Sequence, residues 1–176
     1  MKINIALIGF MGVGKTAVGK ILAEKLQREF VELDSLVEQK AGKSIPSIFQ
    51  QDGEIVFREL EIEVTKEVSR DKNLVIACGG GIVLNKINID RLRQQSRIVH
   101  LTASPEVILK RVSSEEGQRP LLEVDNPVLI IRELWDFRKP FYERAADINV
   151  DTSKLDTNAV AKQLMNKLED DEDFRL

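Results

Sequence analysis

The sequence predicts an α/β fold, a three-layer α/β/α sandwich built on a central five-stranded parallel sheet. Three observations carry this. Short runs rich in isoleucine, leucine and valine recur along the chain, as strands buried on both faces require. Segments with apolar residues three and four apart separate them, which is helical spacing. Glycine-rich or acidic residues follow the first three runs, and in such sheets ligands sit at the carboxyl ends of the strands. A length of 176 residues suits one domain, 1–176, and 43% hydrophobic residues can build a core without disulfides.

Each element has its own signal. Residues 3–8 form an apolar run ending at Gly9, a buried strand. Residues 16–28 place Val18, Ile21, Leu22 and Leu26 on one helical face. Residues 30–33 are a second strand. Asp34 then opens a helix carrying Leu36, Val37 and Ala41, which Gly42 closes. Ser44 caps a short helix through Ile48 and Phe49. Residues 53–68 hold Val56, Leu60 and Val64 in helical register, and residues 73–78 form a third strand ending at Gly79-Gly80-Gly81. Residues 97–102 are a fourth strand, and Ser104-Pro105-Glu106 starts a helix with proline just inside. Residues 113–127 are polar, with Gly117, Pro120 and Pro127, and read as a loop. Residues 128–145 are mostly helical, with Pro140 marking a break or kink. A last strand at 148–150 and a last helix at 157–168 complete the pattern.

Composition excludes several classes. One cysteine, Cys78, allows no internal disulfide and no cysteine-based zinc site; one histidine, His100, removes most metallohydrolase schemes. The net charge is −3, but residues 169–176 hold five acids and one base, leaving 25 bases and 24 acids elsewhere. That near balance predicts no nucleic-acid face and no membrane-surface patch. The acidic end reads as a solvated, frayed tail. No apolar run reaches the ~20 residues of a membrane span, and glycines interrupt the apolar N-terminus, so the expected location is the cytoplasm. No long apolar stripe stands out, so a monomer is expected.

Gly9-Phe10-Met11-Gly12-Val13-Gly14-Lys15-Thr16 fits G-x-x-x-x-G-K-[ST] between a predicted strand and a predicted helix. A polyphosphate needs several backbone N–H groups aimed at one point, hence glycines where side chains would block approach. The next helix adds its positive end. Lys15 can bridge the β- and γ-phosphates of a nucleotide, and the Thr16 hydroxyl can ligate Mg²⁺. A glycine-rich turn with an incidental lysine would lack this context.

The acceptor must come from downstream. Glu32 and Asp34 put two carboxylates beside the phosphate loop. A hydroxyl-phosphorylating kinase needs one to orient or deprotonate the hydroxyl and another acid near the metal ion. Arg58 and Glu61, three apart on a helix, are either a surface ion pair or an arginine held ready for an anion. Three successive glycines are entropically costly and suggest close approach by a ligand.

Taken in order, the phosphate loop, Phe30-x-x-x-Asp34, Phe57-Arg58-x-x-Glu61, Gly79-Gly80-Gly81, Arg119-Pro120-Leu121-Leu122 and Arg138 with Pro140 and Tyr142 resemble the bacterial-type shikimate kinases. The resemblance implies a P-loop kinase fold with a mobile lid at 113–126 and an acceptor-binding region at 34–61. It implies transfer of the γ-phosphoryl group of ATP, with Mg²⁺, to the 3-hydroxyl of shikimate. Gly12, Val13, Gly14, Lys15, Thr16 and Ala17 would hold the phosphates, and Thr16 and Glu32 the metal ion. Asp34 would bind the ring hydroxyls and act as base or orienting group, while Arg58 and Arg138 clamp the substrate carboxylate. Gly80 and Gly81 would approach the ring, Arg111 would lie against adenine, and Arg119 would offset charge developing in transfer. The family commonly has Asp-x-Asp where this chain has Glu32-Leu33-Asp34; glutamate keeps the charge and reaches one methylene further. A gluconate or nucleoside monophosphate kinase would share the phosphate loop but not the two arginines and glycine triplet. A silent relative should have lost Lys15, Asp34 or Arg119, and all three are present.

Overall fold

The computed structural model describes residues 2–114 and 126–174. Five strands, β1 (Asn4–Ile8), β2 (Glu29–Glu32), β3 (Leu74–Ala77), β4 (Ser96–Thr102) and β5 (Ile148–Asp151), form one sheet in the order β2-β3-β1-β4-β5. Every pairing is parallel. Helices α1 (Lys15–Leu26), α2 (Leu33–Ala41), α3 (Ile45–Gln51), α4 (Gly53–Val68), α5 (Lys86–Gln95), α6 (Pro105–Ser114), α7 (Pro127–Ala145) and α8 (Thr157–Glu169) connect and flank the strands.

Register shows the layering. Leu7 pairs with Val99 and Ile8 with His100, so their side chains alternate between faces. A Cβ built on Gly19 of α1 would lie 3.2 Å from the Leu7 side chain, whereas His100 stacks on Tyr142 of α7. Helices α1 and α8 therefore cover one face and α7 the other. Strands β1 and β3 are wholly buried and apolar, apart from Asn4. Its amide is satisfied by the Asp71 carbonyl at 2.7 Å and the Leu74 N–H at 3.0 Å, which ties the start of β1 to that of β3.

Four sequence expectations change. Strand β2 spans Glu29–Glu32, and Leu33, fully buried, begins α2. Glu32 thus occupies the N-cap position without a side-chain cap, and Asp34 lies inside the first turn with its carboxylate turned to the glycine triplet. Helix α5 was not foreseen, although Asn85 caps it through the Ile87 N–H and Ile89 and Leu92 are buried. Pro140 does not end α7, which runs on to Ala145 because Ile131, Tyr142 and Ala145 are packed into the core. The acidic end is docked through Phe174 rather than frayed. Arg97 meets Asp171 through two hydrogen bonds of 2.6 and 2.7 Å, Lys2 pairs with Phe174 in a parallel bridge, and the buried Phe174 ring sits under the Arg28 guanidinium.

Candidate active site

The phosphate loop joins β1 to α1 by a backbone path that only glycines take easily. Gly9, Gly12 and Gly14 all have positive φ. A Cβ at Gly9 would lie 2.2 Å from the Leu101 carbonyl oxygen, so the loop is pressed against β4. Helix α1 begins at Lys15 and opens its N-terminal amides onto the cavity. Lys15 Nζ donates to the carbonyls of Gly9 and Phe10, each at 2.8 Å, which folds the ammonium over the loop. Behind the loop, Arg111 donates to the Gly12 carbonyl at 3.2 Å and to Thr152 at 2.7 and 2.9 Å. The Thr152 hydroxyl also lies 3.1 Å from the Val13 carbonyl. These contacts brace Gly12 and Val13 from below.

The cavity in front of the loop measures about 640 Å³, and Gly12, Gly14, Lys15, Thr16, Ala17, Glu32, Asp34 and Gly80 line it. Thr16 donates its hydroxyl proton to Glu32 at 2.5 Å. Asp34 stands beside it in the first turn of α2. Burial pushes its proton affinity above the ordinary value of 3.8, and nearby Lys15 partly opposes this.

Across the cavity the glycine triplet follows β3. A Cβ on Gly79 would stand 2.6 Å from Asp34 Oδ1. One on Gly81 would stand 2.7 Å from both Arg58 terminal nitrogens. These two glycines thus make room for the protein's own acid and base. A Cβ on Gly80 would meet nothing nearer than 3.6 Å, where the first atom is Arg138 Nη1. Arg58 Nη1 donates to both oxygens of Glu61 at 3.1–3.2 Å, while Nε and Nη2 meet exposed Glu54 at 3.1–3.2 Å. Glu61 is 2% exposed, and its burial raises its proton affinity against the opposing pull of Arg58. The Arg58–Glu61 pair is therefore a half-buried contact, not a solvated surface bridge. Arg138 lies over Phe10 at 5.8 Å. One turn on in α7, the Tyr142 hydroxyl donates to the Gly80 carbonyl; burial pushes this phenol up to about 12.

The structure brings the predicted residues of the phosphate loop, Glu32, Asp34, Arg58, Gly80, Gly81 and Arg138 around one cleft. Arg119, with most of the 113–126 segment, lies outside the described residues. Sequence reasoning missed Gly79 as the residue that admits Asp34, and Thr152 as the brace behind the loop. It also gave Tyr142 no role. A family of glycine-to-partner distances is invisible in one sequence, so none had a direct signal. Cys78 is buried and its thiol is pushed far up by desolvation, which makes it an inert wall residue. His100 has a structural setting, 3.0 Å from Asn149 and stacked 5.0 Å from Tyr142. Phe57 is buried against the half-exposed Phe49, their ring centroids 4.9 Å apart.

A parallel sheet whose first strand runs through G-x-x-x-x-G-K-T into a helix, with a carboxylate and two arginines opposite, defines a P-loop phosphotransferase. Comparison with known proteins narrows this. A family model described as shikimate kinase matches residues 11–169. A shikimate kinase of Caldanaerobacter subterraneus subsp. tengcongensis is 48% identical over 162 residues, covering 92% of this chain and 94% of that one. The chain belongs to the shikimate kinase family. Among solved structures, a shikimate kinase from Acinetobacter baumannii in complex with shikimate superposes with a TM-score of 0.92 at 37% identity, covering 98% and 96% of the two chains. A gluconokinase from Sinorhizobium meliloti shares the fold alone, with a TM-score of 0.61 at 17% identity over 95% and 91%.

Proposed function

We propose that this chain is a shikimate kinase that transfers the γ-phosphoryl group of Mg-ATP to the 3-hydroxyl of shikimate. The product, shikimate 3-phosphate, belongs to chorismate and aromatic amino-acid biosynthesis. The observation that carries this reading is the pair Arg58 and Arg138, set beside successive glycines of one turn, with the half-buried Asp34 against Gly79 of the same turn. Two guanidinium forks suit a monoanionic carboxylate, and Asp34 suits a hydroxyl on the ring that carries it. Relatives of this family at 37–48% identity, and one structure with shikimate bound, support the same acceptor.

Phosphoryl transfer leaves the protein mainly positioning and charge stabilisation to supply. The amides of Gly12 to Ala17 hold the phosphates, and Lys15 exchanges the Gly9 and Phe10 carbonyls for phosphate oxygens. Glu61 and the glycine turn hold Arg58 while it and Arg138 fix the carboxylate. Asp34 then accepts the proton of the attacking hydroxyl. Its raised proton affinity makes it a better base than an exposed aspartate. Arg119, which lies outside the described residues, would offset charge developing in transfer, the role that the family resemblance gives it. Arg111 turns its guanidinium face to adenine while its N–H edge keeps Gly12 and Thr152.

Thr16 and Glu32 fit Mg²⁺: two oxygen ligands already touch, beside the loop that binds phosphate. Among the described residues no cluster of three or more His, Cys, Asp or Glu could form a cage, which suits an ion held largely by phosphates and water. When bound, Mg²⁺ neutralises charge on the β- and γ-phosphate oxygens. Among the described residues no helix is long and apolar enough to cross a membrane. We take the working form to be a cytoplasmic monomer without nucleic-acid or membrane partners, supported by the balanced charge outside the last eight residues.

The test is ADP release with Mg-ATP, comparing shikimate with gluconate, AMP, CMP and no acceptor. Release that depends on shikimate, with shikimate 3-phosphate in the products, is expected. Release with another acceptor alone would overturn the carboxylate clamp and leave the phosphate loop standing.

A further inference from the structure

Behind the glycine turn lies a second cavity that phosphoryl transfer does not use. It measures about 230 Å³ and opens between the 3-10 turn Ile82–Leu84, helix α5 and the C-terminal end of α7. Val83, Leu84, Ile89, Phe141 and Ala145 give it apolar walls. Three cations reach the same cavity, Lys86, Arg93 and Arg144, against one acid, Asp90. Lys86 and Asp90 neutralise each other at 2.5 Å. The two arginines stay unneutralised, with no carboxylate partner among the described residues. Arg93 donates one terminal nitrogen to the Ala145 carbonyl, and its Nε is buried without an acceptor. Arg144 lies over Phe141, its guanidinium 5.6 Å from the ring centroid.

An apolar pocket carrying two unneutralised guanidinium groups is complementary to an apolar body with one anionic head. The volume restricts the body, being below the roughly 300–1,000 Å³ of drug-sized pockets. A single ring fits. We propose that this pocket is a binding site for small apolar monocarboxylates, the ring lying against Leu84, Ile89 and Phe141 and the carboxylate on Arg93 and Arg144. Its walls belong to segments that also build the acceptor side. Val83 follows Gly81 by two residues, and α7 carries both Arg138 and Tyr142. Binding here is independent of which acceptor the cleft in front phosphorylates.

Benzoate is the probe, and benzamide its uncharged control. Benzoate also has a carboxylate for Arg58 and Arg138, so the titration is run with saturating shikimate and repeated without it, followed by backbone amide NMR. Saturable shifts at Val83, Leu84, Ile89 and Ala145 are expected in both runs. Benzamide should bind at least tenfold more weakly. Arg144→Glu, at an exposed position, should weaken benzoate at least tenfold with shikimate-dependent ADP release within twofold of wild type. Shifts confined to Gly80 and Arg58 would overturn the proposal, as would equal binding of benzoate and benzamide, or unchanged binding by Arg144→Glu. Failure of shikimate to bind would count against the acceptor assignment alone, because the run without it reads the same four amides.

Discussion

The phosphate loop is eight consecutive residues from the end of one strand to the start of one helix, whereas the proposed acceptor side draws Asp34, Arg58, Glu61, Gly79 to Gly81 and Arg138 from four separate places in the chain. The first is local because phosphate is held by successive backbone amides, and a single turn supplies several. The second is assembled by packing, since a ring with a carboxylate at one position and hydroxyls at others needs side chains from several directions. Energetically they differ too. The loop's special residues relieve backbone geometry, while those opposite make room for half-buried charged side chains: Gly79 yields to Asp34 and Gly81 to Arg58. Damage on the acceptor side should therefore change turnover or acceptor affinity and leave nucleotide affinity nearly untouched.

The largest expected break is Asp34→Asn, with kcat lower by about 10²–10⁴-fold and ATP affinity within a few fold, read by steady-state ADP release and an ATP titration. The same variant should gain heat stability at pH 7. Burial raises the folded-state value of Asp34 above 3.8, so the native protein holds its proton longer than the unfolded chain as pH rises. Wild-type stability falls through that window, and the advantage of the asparagine variant should vanish as pH drops to about 3.8. Gly79→Ala comes next. A methyl 2.6 Å from Asp34 Oδ1 must displace the carboxylate, and a shift on that scale costs up to about 10²-fold in turnover, again with ATP affinity kept. The smallest effect lies outside both regions. Asp171→Asn should remove about 1 kcal/mol and lower Tm by about 2–4 °C in thermal unfolding, with normal kinetics. The Arg97 guanidinium holds Asp171 below its ordinary value, so this contribution is present above pH 3.8 and lost as pH falls through the lowered value.

The same contrast governs what one sequence discloses. The strands, the parallel order of elements and the phosphate loop were legible because each is written in a short run: Ile5 to Ile8 are wholly buried, as their pattern demands. Helix α5 escaped because its mixed polar sequence buries two apolar residues, Ile89 and Leu92, beside the polar Asn88 and between charged neighbours. The docked tail escaped because five acids outweigh Phe174 in the sequence, while in the fold Arg97, 74 residues earlier in the chain, selects Asp171. Arg58 with Glu61 was ambiguous as an i,i+3 pair; only the burial of Glu61 and the proximity of Gly81 distinguish it from a surface bridge.

The central claim is that the arginines opposite the phosphate loop read the acceptor's carboxylate. The most direct measurement is kcat/KM for shikimate against its uncharged methyl ester, in wild type and in Arg58→Ala. Charged hydrogen bonds of about 1.5–3 kcal/mol predict that wild type prefers shikimate by roughly 10- to 150-fold, and that Arg58→Ala loses most of this preference at unchanged ATP affinity. Equal preference in the two proteins would contradict the account.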